Sequence, residues 1–428
     1  MKPLRWCIFC RVIDNWGDAG VCLRLARELA ARGQWTELWI DKPEILDWME
    51  PSRHPNLKII AWPNEPASKA LAFTTESLPG TFSNSFDNSL FNSAPQSIPA
   101  FMDNQSTTPV DVIIEAFGCE IPDSFKQLVS SQAAHGTQTI QWINLEYLTA
   151  ESYAEQNHRL LSPVLSGPGE GAQKWFFYPG FTPLTGGLIL EHSIRQRIIQ
   201  SRSRSRSQYQ SQHQPQPQKQ SHAPPSISES GPRTRIGLFC YAHAPLQSLL
   251  YSIKSQGIAG NGFTFNIAQG DAQRIMKGLV DESLGVLTAK GTDIQLCNLP
   301  QLNQDEFDDM LWANDLNFVR GEDSLIRAIW VGKPWIWQIY QQTDDAHVKK
   351  LNALLDLLNC PEFVKEIHWG WNQHAGYSFA LPSLADTEKW SQWRDWCLQI
   401  RSKLAEQADL VSQLTEFVDE KRQKTVES

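Results

Sequence analysis

Two aspartates four residues apart, Asp14 and Asp18, lie in the segment Val12-Ile13-Asp14-Asn15-Trp16-Gly17-Asp18-Ala19-Gly20. Carboxylates at that spacing can divide between them the gripping of a cationic group and the acceptance of a proton. The segment joins the apolar run Trp6–Val12 to Val21, Leu25, Ala26 and Leu29, which fall on one helical face that stops at Gly33. The pattern predicts a strand, a tight turn permitted by Gly17 and Gly20, and a helix, which is where open α/β sheets put their chemistry. The turn lacks G-x-G-x-x-G, so a dinucleotide cradle is poorly supported. Asp18 is equally suited to capping the helix, since Asp is among the best N-cap residues and its charge suits the positive end of the dipole.

A second constellation is Asn317-Phe318-Val319-Arg320-Gly321-Glu322-Asp323-Ser324, which ends one strand and begins one helix. Unpaired N–H groups and the dipole of the helix start favour a phosphate. Arg320 adds a cationic fork, Ser324 a hydroxyl, and Glu322 or Asp323 can accept from ribose hydroxyls. Acidic residues in a first turn also stabilise a helix by themselves, so Glu322 and Asp323 need touch no ligand. Joined to a carboxylate turn in an opposing domain, this describes a two-domain nucleotide-sugar transferase, with the donor diphosphate on the second domain and the base on the first.

The elements that must position these turns alternate along the chain. Strand signals are Trp6–Val12, Glu37–Ile40, Leu57–Ala61, Val110–Ile114 and Thr139–Ile143, then Arg235–Cys240, Thr264–Ala268, Asp293–Cys297, Asn317–Val319 and Pro334–Ile339. Helices are expected near Leu246–Lys254, Ala272–Leu279, Gln304–Ala313 and Glu322–Val331. The pattern is α/β, in two doubly wound domains facing each other across a cleft. The expected division is 1–190 for an N-terminal Rossmann-like domain, 233–383 for a C-terminal one and 384–428 for C-terminal helices. In that last region Trp390, Trp393, Cys397, Ile400 and Leu404 form a helical stripe, expected to pack back on the first domain. Two segments are too polar to bury a core: about 66–109, rich in Ser, Asn, Thr and Pro, and 201–232, which holds Ser-Arg-Ser-Arg-Ser-Arg-Ser and then Gln/Pro alternation. An Arg/Ser run can bind RNA, but a solvated basic tether is the simpler reading.

At 428 residues and 41% hydrophobic content the chain can build two cores. Its net charge of −9 argues against holding nucleic acid by general electrostatics. Without a signal-peptide pattern or a long apolar run, it is expected to be cytoplasmic, away from membranes. The 8 cysteines are scattered and read as reduced core residues. Cys7 and Cys10 have C-x-x-C spacing, but nothing nearby completes a zinc site.

Five stretches resemble the bacterial protein-arginine rhamnosyltransferases that modify translation elongation factor P, the EarP family. They are Ile8-Phe9-Cys10-Arg11-Val12-Ile13-Asp14-Asn15-Trp16-Gly17-Asp18, Glu115-Ala116-Phe117-Gly118-Cys119, Trp142-Ile143-Asn144-Leu145-Glu146-Tyr147, Phe177-Tyr178-Pro179-Gly180-Phe181-Thr182 and Val319-Arg320-Gly321-Glu322-Asp323-Ser324. The resemblance implies a GT-B fold, a dTDP-β-L-rhamnose donor, no metal or other cofactor, and inverting transfer to an arginine of elongation factor P. It implies Asp18 as base with Asp14 beside it, and Arg320, Glu322, Asp323 and Ser324 in the donor site. Gln304 and Phe307 align with contacts to the thymine end. Where the family pattern leads to an aromatic stacking on the base, this chain has Gln301 in Pro300-Gln301-Leu302. Tyr178 and Phe181 fit the donor cleft and fit inter-domain packing equally well. His347 follows the same logic, with a surface or core position as its default.

Arginine is a poor nucleophile because its guanidinium stays protonated. One carboxylate must therefore orient it, a role for Asp14, and another must take the proton, a role for Asp18. Two rivals share the sequence features: a transferase using another nucleotide sugar, and a non-catalytic binding protein of the translation machinery.

Overall fold

The computed structural model describes residues 2–13, 16–50, 54–62, 109–135, 139–201, 233–255, 262–287, 293–341 and 346–427. Asp14 and all but the edge residues 109 and 201 of the polar segments 66–109 and 201–232 lie outside the described residues.

The first domain is built on β1 (Arg5–Cys10), β2 (Trp35–Ile40), β3 (Leu57–Ala61), β4 (Val112–Ala116), β5 (Gln141–Leu145), β6 (Leu161–Pro163) and β7 (Gln173–Phe177). These make one sheet of order β3-β2-β1-β4-β5-β7-β6, parallel throughout except that β6 runs against β7. Parallel central strands are covered on both faces, which is why they are almost continuously apolar. On β1 the alternation of side chains sends Trp6, Ile8 and Cys10 to the core under helix Gly17–Ala31, and Cys7 and Phe9 to the core under helix Asp123–Ala134. Cys7 and Cys10 thus lie on opposite faces of the sheet. Their C-x-x-C spacing does not converge.

The second domain holds β8 (Thr234–Leu238), β9 (Phe263–Ile267), β10 (Ile294–Asn298), β11 (Leu316–Arg320) and β12 (Trp335–Gln338), all parallel in the order β10-β9-β8-β11-β12. The two facing Rossmann-like domains are the GT-B arrangement. The chain passes between them at Leu188-Ile189-Leu190: Ile189 is buried in the first core, its neighbours on either side in the second. The indole of Trp330 secures this crossing by donating to the Ile189 carbonyl at 2.9 Å.

Most strands expected from sequence sit within two residues of their observed bounds, but β6 and β7 were not anticipated. β6 is the edge strand and β7 is next to it, and both are at best half-buried along most of their length, so they lack the apolar run of the central strands. The C-terminal region corrects another expectation. Helix Thr387–Ala405 buries Trp393, Trp396, Cys397, Ile400 and Leu404 in the second domain, where Trp396 packs on Trp335 with ring centroids 5.3 Å apart. Only helix Leu410–Glu427 returns to the first domain, burying Leu410, Val411, Leu414, Phe417 and Val418 there. A helical stripe reveals that a face is buried, not which domain buries it. Among the described residues, no helix is long and apolar enough to cross a membrane.

Candidate active site between the two domains

In each sheet the strand order reverses beside the first strand, between β1 and β4 and between β8 and β11. Ligands of open α/β sheets bind at the carboxyl ends of such strands. All four ends open on the cleft here, and two contiguous cavities occupy it, sharing Gly17, Tyr241, Gly321, Glu322 and Asp323 in their walls.

Asp18 lines one of these cavities, whose walls come from both domains. Trp16 occupies the N-cap without a side-chain bond, and Asp18 follows inside the first turn, almost fully buried. Its Oδ2 accepts from the Ile13 N–H at 3.1 Å, closing the turn back on the strand. Asp18 therefore holds the turn rather than filling the N-cap position. The same cavity is walled by Phe117, beyond β4, and Tyr147, beyond β5.

Arg320 ends β11 and faces the other cavity. Its guanidinium carbon lies 4.6 Å from the ring centroids of both Phe239 and Tyr241, which follow β8. Gly321, at φ 68°, turns the strand abruptly into helix Gly321–Val331, a conformation that costs other residues strain. The hydroxyl of Ser324 is engaged within this turn. It accepts from the Arg320 N–H at 3.1 Å and donates to the Arg320 carbonyl. Phe307 meets Phe239 edge-on at 5.1 Å, and Gln301 lines the same cavity.

Buried charges tie the walls together. Arg24, from the first-domain helix, reaches Asp323 at 2.8 Å, Asp308 at 3.2 Å and Glu191 at 3.3 Å. Arg327 grips Asp308 at 2.7 Å and Glu191 at 2.6 Å. Burial alone would push the Glu191 carboxyl up, but Arg327 and Arg24 override it and hold it at about 2. Burial opposes the charge on Arg24, and Asp308, Asp323 and Glu191 more than offset it, so its pKa is raised. Beside this cluster the Gln304 amide donates to the Gly20 carbonyl at 2.9 Å, and Glu322 accepts from the Leu148 N–H at 2.9 Å.

The family model described as Elongation-Factor P (EF-P) rhamnosyltransferase EarP matches residues 6–76 and 93–419. The chain belongs to the EarP family. It is accordingly a glycosyltransferase. It is similar to the protein-arginine rhamnosyltransferase of Shewanella oneidensis, at 30% identity over 96% of this chain and 97% of that one. The Pseudomonas putida protein of the same name is 32% identical over 83% and 81% of the two chains. A solved structure from work on EarP-mediated arginine glycosylation of translation elongation factor EF-P has a TM-score of 0.50 at 21% identity, covering 97% of this chain and 99% of its own, a likeness of fold.

Within this EarP-family cleft, Asp18, Arg320, Glu322, Asp323, Ser324, Gln304 and Phe307 all line one or both cavities. The functional groups of several are already engaged. Asp323 pairs with Arg24, Glu322 accepts from Leu148, Gln304 bonds Gly20 and Ser324 bonds its own turn, so these contacts hold the walls in register. Phe181 lines the Asp18 cavity and is also core. Tyr178 is not brought to either cavity; its ring packs edge-on against Tyr153 at 5.9 Å. His347 lines neither cavity and sits half-buried in the first turn of helix Ala346–Leu357. Sequence reasoning missed Phe239, Tyr241, Trp16, Trp48 and Arg24, all of which line the Arg320 cavity. The signal for Arg24 was an arginine on the buried side of an amphipathic helix, a position that demands carboxylate partners.

Proposed function

We propose that this enzyme transfers L-rhamnose from dTDP-β-L-rhamnose to an arginine side chain of elongation factor P, with inversion at the anomeric carbon and without a metal. The observation that carries this reading is the pair of contiguous cavities. One presents the Asp18 carboxylate, the other the Arg320 guanidinium and a helix N-terminus, and they meet at Gly321-Glu322-Asp323. Cation and helix dipole suit a diphosphate, and Phe239, Tyr241, Phe307 and the edge-on pair Trp16–Trp48 offer apolar surface to a base and deoxyribose. A stacking ring at position 301 is then dispensable.

In this reading the arginine enters beside Asp18 and its nitrogen attacks the anomeric carbon from the face opposite the leaving dTDP. The new C–N bond forms as the C–O bond breaks. The proton lost from nitrogen passes to Asp18, and charge gathering on the departing phosphate is met by Arg320 and the helix N–H groups. Asp14, four residues before Asp18 in the sequence, is assigned to orient the guanidinium. The protein acceptor and the rhamnosyl donor are supported by family membership and by the names of the relatives.

Incubation of the enzyme with elongation factor P and dTDP-β-L-rhamnose should raise the acceptor's intact mass by one deoxyhexosyl residue. Fragmentation should place that residue on arginine, and NMR of the product should show an α-linkage. An unchanged acceptor mass, or transfer from a different nucleotide sugar in preference, would overturn the proposal.

A further inference from the structure

The backbone at Phe117 is strained for a purpose. The residue leaves β4 at φ 57°, in the left-handed region that a bulky side chain rarely adopts, followed by Gly118 at φ 64°. Such strain persists only where the surroundings over-determine it, and it clusters at ligand-binding sites. Here a 2.7 Å bond from the Phe117 N–H to the Leu145 carbonyl pins the turn against the end of β5. The consequence is a ring laid flat on another. Phe117 and Tyr147 stack with centroids 4.3 Å apart and planes 13° from parallel.

This stack is part of the wall of the cavity that holds Asp18. Tyr147 is exposed at 36%, between half-buried Glu146 and buried Leu148. The residue after it, Leu148, donates its N–H to Glu322 across the cleft, which sets the height of the ring over the second domain's turn. Among the described residues, the charged groups lining the cavity are Asp18, Glu322, Asp323 and Lys350, and of the three carboxylates Asp323 is paired with Arg24. A flat aromatic face bordered by carboxylates matches a planar, delocalised, weakly hydrated cation. A guanidinium stacks on such a face, whereas an ammonium is a strongly hydrated point charge.

We infer that Phe117 and Tyr147 form the shelf on which the acceptor guanidinium stacks, presenting its edge to Asp18 and selecting arginine over lysine. The inference rests on the proposed transfer to arginine, but it makes a claim about binding that holds without any donor.

The test uses the full chain and two small probes, N-acetyl-arginine methylamide and N-acetyl-lysine methylamide, titrated by ligand-observed NMR into wild type, Tyr147→Phe and Tyr147→Leu. The arginine probe should bind wild type and Tyr147→Phe alike, and Tyr147→Leu roughly 2- to 30-fold more weakly, the range expected for a lost cation–π contact. The lysine probe should not distinguish the three. Unchanged dTDP affinity in both variants shows that the cleft is intact. In transfer assays the same Tyr147→Leu change should raise the acceptor KM more than it lowers kcat. Equal binding of the arginine probe to wild type and Tyr147→Leu, or no binding to wild type, overturns the shelf. Ring-dependent arginine binding in an enzyme that leaves elongation factor P unmodified would instead sink the proposed acceptor and keep the shelf.

Discussion

The guanidinium of Arg24 lies 2.8 Å from the carboxylate of Asp323, joining the helix that carries Asp18 to the turn that carries Arg320. The first residue belongs to one domain and the second to the other, and Arg24 is almost wholly buried. Desolvating these groups is costly. The cluster persists because Asp308 and Glu191 complete the coordination of both Arg24 and Arg327. The two cavity walls are therefore registered by charge pairing as well as by packing.

Removing Arg24 should accordingly be severe. Arg24→Met leaves buried carboxylates short of one cation, and we expect a loss of about 3–5 kcal/mol in urea-induced unfolding. Arg24→Lys keeps the charge without the fork and should fall between the two. An Arg24→Met enzyme as stable as wild type would show that Arg327 alone satisfies the cluster.

Asp18→Asn should separate structure from chemistry. The amide oxygen can still accept from the Ile13 N–H, so the turn should persist and dTDP affinity should hold. Turnover should fall about 10²–10⁴-fold, the usual contribution of a positioned base. Steady-state kinetics on elongation factor P would settle it, and near-normal turnover would reduce Asp18 to a turn residue.

Arg320→Lys tests the proposed donor site. Lysine retains charge but cannot spread a planar fork over Phe239 and Tyr241. Weaker dTDP binding by calorimetry is expected, with a larger fall in transfer rate than in affinity, because charge on the phosphate grows as the sugar bond breaks. Wild-type values for both quantities would remove Arg320 from the donor site.

Acid should destabilise the second domain through His368. Burial lowers the pKa of this ring to about 4, although its contact with the Val364 carbonyl works the other way. The ring is neutral in both states above pH ~6.5, the ordinary histidine value. Below it, the unfolded chain binds a proton that the folded one refuses. Stability should therefore fall between pH ~6.5 and about 4, by on the order of 3 kcal/mol in total from this group. NMR titration should show the His368 ring still neutral at pH 5; protonation near 6.5 would contradict this. Glu191, held at about 2, adds a second loss only at lower pH, between its unfolded value and about 2.

Truncating Phe417 probes the return of the C-terminal helix. Its ring is buried against Trp175 and Phe177 of the first domain. Phe417→Ala should cost about 3–5 kcal/mol. Differential scanning calorimetry should show the loss, and an unchanged transition would mean that this helix is not integral to the first core.

The local order of strand, turn and helix was legible from residues alone, because apolar runs and glycines report the backbone directly. That is why helix Gln304–Ala313 and strand Leu57–Ala61 were placed at their observed bounds, and why Asp18 and Arg320 stood out as turn residues at strand ends. The alternation of strand and helix signals in each half of the chain already sets the two turns on domains that face each other across a cleft. What no local pattern contains is the partner of each side chain. Only the tertiary structure showed that Asp323 is met by Arg24, nearly three hundred residues earlier, that Gln304 bonds Gly20, and that Tyr178 packs on Tyr153. It alone stacked Phe117 on Tyr147, each from a different strand end, and sent the tryptophan-rich helix to the second domain. The division follows from range. Periodicity and turn chemistry act over a few residues, whereas ion pairing, ring stacking and choice of packing face depend on which distant segments the sheets bring together.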